Sequence, residues 1–161
     1  MGQASAYVPY SSGWGGSVSA ANTERASYSF RRDDGRMALT IEWVLIDCVD
    51  LEVMSEFWCQ ALDLEQVATG PSGGHMLVAA DDSGRRLGLL PSGGAKTSKN
   101  RIHLDLRPDD QAAEVERLES LGARRVDVGQ VDVPWVVMAD PEGNEFCVLR
   151  SRRPRTPDET R

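Results

Sequence analysis

The segment RIHLDLR, residues 101–107, sets an imidazole and a carboxylate two positions apart in a run whose alternate members are apolar. Successive side chains of an extended chain point to opposite faces, so Ile102, Leu104 and Leu106 share one side and His103, Asp105 and Arg107 the other. A carboxylate beside an imidazole orients the ring and favours its cationic form, as general acid–base work or the support of a metal ligand requires. The plainer use of the same pair is a hydrogen bond that only knits a sheet together. A second run, LTIEWVLIDC at 39–48, is β-branched and aromatic, and parity there puts Trp43, Leu45 and Asp47 on one face. Trp43 is the tryptophan whose placement suits a ring stacked on a ligand.

These residues need elements to hold them. After the first strand, Asp50 stands at an N-cap position, with Leu51, Met54, Phe57, Trp58 and Ala61 following at helical spacing. Short strands are predicted at 64–68, 76–80 and 86–90, between the turn-formers PSGG and DDSG. The order then repeats. Residues 101–107 read as strand, Asp109 or Asp110 as cap, Val115, Leu118 and Leu121 as one helix face, and 124–128, 135–139 and 145–149 as strands. The two halves correspond residue by residue: Trp43 lies seven positions before Asp50 as His103 does before Asp110, and Gly84 in DDSGRR matches Gly143 in DPEGNE. One such module leaves a sheet face uncovered, which is a physical reason for pairing two. The fold class is therefore α+β, two βαβββ modules in one domain spanning 38–150, the modules at about 38–92 and 99–150. The helices are expected on the outer sides of the sheets.

Residues 1–37 are rich in Ser, Gly and Ala without an apolar period and read as a disordered extension, with Met37 an alternative start; 151–161 read as a polar tail. Of the 18 basic and 25 acidic residues, 10 and 20 lie between Met37 and Arg150. A field of that sign repels phosphate backbones, so nucleic acid is not expected as a partner. Neither an apolar run of membrane length nor a leader pattern is evident, and the three cysteines, Cys48, Cys59 and Cys147, form no CxxC pair. A cytoplasmic protein, monomeric or homodimeric, is expected. DPEGN reads as a hairpin turn, His75 as a loop residue that is either solvated or flanks the pocket, and Cys59 as a packed thiol.

NRIHLDLRPDDQAAEVERLESLGARRVDV followed by DPEGNEFCVL closely resembles the second half of glyoxalase-like proteins of the vicinal oxygen chelate superfamily, and IDCVDLEVMSEFWCQALDLEQV resembles their first strand and helix. The superfamily includes metal-dependent lyases, isomerases and dioxygenases, thiol transferases that open epoxides, and metal-free proteins that sequester drugs. The resemblance implies one small-molecule pocket lined by the polar strand faces. It also implies four metal-ligand positions, which fall here on Trp43, His103, Gly88 and Cys147, so only His103 is retained unchanged. Such a set is ill suited to octahedral, oxygen-rich ions. Zinc accepts imidazole and thiolate but needs a third ligand, for which Asp105 is the nearest candidate. The expectation is a pocket with no metal or other cofactor, His103 and Asp105 as candidate catalytic residues, and Trp43, Asp47, Arg107 and Cys147 as ligand-binding residues. Two functions stay open: metal-free binding or sequestration of a drug or metabolite, and a lyase or isomerase on a small oxygenated substrate, with a divalent metal as an option for the enzyme.

Overall fold

The computed structural model describes residues 39, 41–70, 72–81, 83–92 and 94–151. The expected N-terminal extension and most of the polar tail lie outside them. Two sheets of four strands, each with one helix, follow in the order β1 (Val44–Cys48), α1 (Leu51–Leu62), β2 (Leu64–Thr69), β3 (His75–Ala79), β4 (Arg86–Pro91), then β5 (Asp105–Leu106), α2 (Gln111–Ser120), β6 (Arg124–Arg125), β7 (Val136–Ala139), β8 (Glu145–Val148). The strand orders are β1-β4-β3-β2 and β5-β8-β7-β6, and in both the first strand runs parallel to the last. The same topology twice is the βαβββ repeat.

Both helices begin on a carboxylate that satisfies otherwise unpaired amides of the first turn. Asp50 accepts from the Val53 N–H at 3.0 Å, and Asp110 from those of Ala112 and Ala113 at 3.0 and 3.2 Å. α1 buries Met54, Phe57 and Trp58, and α2 buries Val115 and Leu118, the i, i+3, i+4 stripe of a helix packed on a sheet. α2 ends where Gly122 takes φ +106 and the Ala123 amide donates back to the Leu118 carbonyl, a turn that favours a residue without Cβ.

The two modules share one core. Phe57, Trp58 and Phe146 meet with ring centroids 5.0 to 6.2 Å apart, joining α1 of the first module to β8 of the second. The Arg117 guanidinium of α2 donates to the Gln60 and Ala61 carbonyls at the end of α1. In the DPEGN turn, Asp140 accepts from the Glu142 and Asn144 amides, and Gly143 takes φ +91. Glu142 then reaches across to accept from the Val49 and Asp50 N–H groups. The hairpin of one module thus clamps the strand–helix junction of the other.

This packing differs in one respect from the sequence expectation. The helices and the helix-facing sides of both sheets lie in one hydrophobic cluster that includes Met54, Leu77, Leu89, Leu118, Met138 and Phe146. The helices are therefore shared between the modules rather than lying outside a common cup. The opposite sheet faces, with Leu45, Asp47 and Gly88 in one module and Asp105 and Cys147 in the other, point away from that core.

Candidate functional site

The open face of the second sheet carries the chemistry. Asp105 is the Cα partner of Cys147, and Cys147 in turn that of Val137, so the three lie side by side across β5, β8 and β7. Glu145, two residues before Cys147, shares its face. The expected strand at 101–107 is ordered as sheet only at Asp105–Leu106, although the Cys147 amide still donates to the Leu104 carbonyl. His103 therefore sits on the approach to the strand. Its Nε2 lies 3.2 Å from Asp105 Oδ1, with both side chains about half exposed. One ligand atom each from His103, Asp105 and Cys147 fall within 4.8 Å of one another.

The face is hollowed into a cavity of about 330 Å³, within the size range of small-molecule sites. Apolar Val128, Trp135 and Val137 and polar Lys99, Gln130 and Glu145 line it together with the His103, Asp105 and Cys147 cluster. Cys147 is buried, and that burial, with the adjacent Asp105 carboxylate, pushes its thiol above the ordinary range, opposed by Lys99. Burial also favours the neutral form of Glu145, but the Lys96 ammonium at 2.8 Å and the Asn100 N–H at 2.9 Å outweigh it and hold the carboxyl below its usual range. Glu145 thereby pins the 94–100 segment against the cavity, with Lys99 on its rim.

Of the residues singled out by sequence, His103, Asp105 and Cys147 come together. Arg107 does not line the cavity; its guanidinium donates to the Arg150 carbonyl. Asp47 of β1 and Trp43, the residue before that strand, do not line it either, and Trp43 instead carries the Arg86 guanidinium 5.6 Å above its ring. In that sheet the position facing Leu45 is Gly88, where a Cβ would meet Leu45 Cδ2 at 2.4 Å, so Leu45 fills the space that Cys147 occupies in the other module. Sequence reasoning missed Lys99 and Gln130, which lie in irregular segments, and Val128, the end of an expected strand at 124–128 that forms only at Arg124–Arg125. It also did not single out Trp135, a residue that is 38% exposed and lines the cavity. His75 was expected in a loop, solvated or flanking the pocket. It is instead the buried first residue of β3, its Nδ1 2.6 Å from Ser55 Oγ on α1, because pairing with Leu89 turns it to the helix side.

A family model described as a glyoxalase-like domain matches residues 43–149. Among solved structures, the fosfomycin resistance protein FosX of Listeria monocytogenes, in complex with Mn(II) and a dihydroxypropylphosphonic acid, superposes with a TM-score of 0.57 at 14% identity, covering 72% of this chain and 93% of that one. FosX of Mesorhizobium loti gives 0.52 at 16% identity, over 74% and 94% of the two chains. A glyoxalase/bleomycin resistance protein/dioxygenase family enzyme of Burkholderia phytofirmans gives 0.51 at 19% identity, over 66% and 94%. No curated protein matches the chain. At these identities the structures testify to the fold, and they agree with the duplicated βαβββ topology, while the family model spans nearly all of both modules. The chain belongs to the glyoxalase-like domain family of the vicinal oxygen chelate superfamily.

Proposed function

We propose that the protein binds and encloses a small organic molecule in the cavity of its second module, without a resident metal ion. The observation that carries this is the cavity itself, lined by apolar Trp135, Val137 and Val128 together with polar His103, Asp105 and Lys99, the composition that binds and orients small ligands. The Mn(II) of the Listeria FosX complex is a hard ion that favours oxygen-rich octahedral sites. This cluster offers one imidazole, one carboxylate and a thiol whose proton is held more tightly than usual. The nearby Glu145 carboxylate is already engaged by Lys96 and Asn100. That donor set does not fit such an ion.

The His103–Asp105 pair, at 3.2 Å, favours a second reading. It is the geometry of an oriented acid–base group, which would serve a lyase or isomerase acting on a small oxygenated substrate. A second copy of the chain is the partner whose first module could close the cavity's open side. The face bearing Trp43, Leu45 and Asp47 points away from the shared core, and Leu45 is 49% exposed there. Among the described residues no helix is long and apolar enough to cross a membrane.

The test is elemental analysis of freshly purified protein together with a melting screen against small aromatic and carbonyl compounds, on wild type and His103→Ala. The expected result is no stoichiometric divalent ion, and a ligand-induced rise in melting temperature that His103→Ala diminishes while the unliganded melting temperature stays within about 2 °C, as for a change at an exposed site. One tightly held ion per chain, lost in His103→Ala, would overturn the metal-free reading.

A further inference from the structure

We infer that Cys147 is a nucleophile, and that the cavity takes α,β-unsaturated carbonyl compounds, which it captures covalently at that thiol. The inference rests on reading the cavity as a metal-free small-molecule site, and it adds a reacting atom and a ligand class. Cys147 does not stand alone. It lines the cavity, it faces Asp105 across β5 and β8, and its sulfur lies within 4.8 Å of ligand atoms of both Asp105 and His103. A thiol beside an imidazole that is itself oriented by a carboxylate is the arrangement that activates a cysteine.

The surroundings select the electrophile. Thiolate sulfur is a soft nucleophile and prefers the polarisable β-carbon of a conjugated system. The cavity supplies an apolar wall of Val137, Trp135 and Val128 for the hydrocarbon part, and one cation, Lys99, to face an oxygen on which negative charge develops. A conjugated enone carries both features a few bonds apart. In the step, the thiol proton passes to the His103–Asp105 pair and the sulfur lone pair forms a bond to the β-carbon. The alkene π pair shifts to make an enolate whose oxygen faces the Lys99 ammonium, and the pair then returns the proton to the α-carbon. The product is a thioether, with no change of overall oxidation state and no leaving group.

The other two thiols are internal controls. Cys48 is fully buried, and burial together with Glu142, Asp140, Asp47 and Asp50 pushes its thiol up to about 11. Cys59 is partly exposed on α1, its thiol also raised by burial. Accessibility alone therefore ranks Cys59 first. The experiment treats the full chain at neutral pH with 2-cyclohexen-1-one and follows each cysteine by peptide mass mapping over time. The expected result is a single adduct on Cys147, forming at least tenfold faster than on Cys59, and slowed at least tenfold in His103→Gln. Asp105→Asn is the second variant if His103→Gln does not fold, with the same slowing expected. Modification of Cys59 before Cys147, or a Cys147 rate unchanged in the folded variant, would overturn the inference. Melting of Cys147→Ser with cyclohexanone, the saturated analogue, separates the two ideas. A stabilising shift without any Cys147 adduct in wild type defeats covalent capture and leaves ligand binding standing, whereas neither shift nor adduct defeats both.

Discussion

Replacing Glu145 by Gln removes one charge from a side chain that is 12% exposed and holds two partners, Lys96 Nζ at 2.8 Å and the Asn100 N–H at 2.9 Å. The amide keeps one carbonyl oxygen, enough for one of the two. Lys96, itself only 19% exposed, then lacks a counter-charge. A fully exposed pair contributes about 0.2–1 kcal/mol, whereas breaking a buried one costs about 3–5 kcal/mol. The residual exposure and solvent screening place this pair nearer the lower limit, and the loss is about 1.5 kcal/mol. For a domain of this size that lowers the melting temperature by roughly 5 °C.

The pH dependence is the sharper part of the same prediction. The Glu145 carboxyl is held below its ordinary value of 4.5 in the folded protein, against the effect of burial, by Lys96 and the Asn100 N–H. A depressed folded value means that the unfolded chain takes up the proton first. The stabilisation is complete above the unfolded value and is lost as pH falls through the folded one. Melting curves of wild type and Glu145→Gln should therefore differ fully at neutral pH and converge in acid, once pH has fallen through the folded value. A gap of the same size at both ends, or no gap at neutral pH, would refute the assignment of Glu145 as the charged anchor of the 94–100 segment.

Two glycines separate backbone from side-chain crowding. A Cβ at Gly74 meets the Leu89 carbonyl oxygen at 2.4 Å, which cannot yield without moving β4, so Gly74→Ala should lose roughly 2 kcal/mol or more in chemical denaturation. A Cβ at Gly88 meets Leu45 Cδ2 at the same distance, but that is the end of a half-exposed side chain free to swing aside, so Gly88→Ala should lose less than about 1 kcal/mol. Glu142→Ala withdraws the acceptor from the Val49 and Asp50 amides, which are exposed and turn to water instead. Its cost should be about 1 kcal/mol, read as a drop of a few degrees in melting temperature.

Local signals carried most of the fold. Asp50 and Asp110 at the helix starts, Gly122 at a helix end and Gly143 in its turn each meet a conformational requirement that their own chemistry announces, so the elements and their duplication could be read directly. Strand parity likewise put Asp105 on the polar face of its strand, because alternation is a property of the backbone, and the residue it meets there is Cys147, which the resemblance had singled out. What parity cannot state is which face of one sheet looks toward which face of the other. That is decided by Phe57 and Trp58 of α1 docking on Phe146 of β8, a contact between residues about 90 positions apart with no periodic trace in the chain. Once those rings meet, the helix sides of both sheets are committed to a common core, and Trp43 and Asp47 do not line the cavity that His103 lines. The remaining part of the site is loop. Lys99 reaches the rim because Glu145 grips Lys96 and Asn100 on either side of it, a tertiary ion pair and a backbone bond that no local pattern foretells. The chemistry of the second module was thus legible where the backbone repeats, and hidden where one carboxylate folds a lysine-bearing loop back over it.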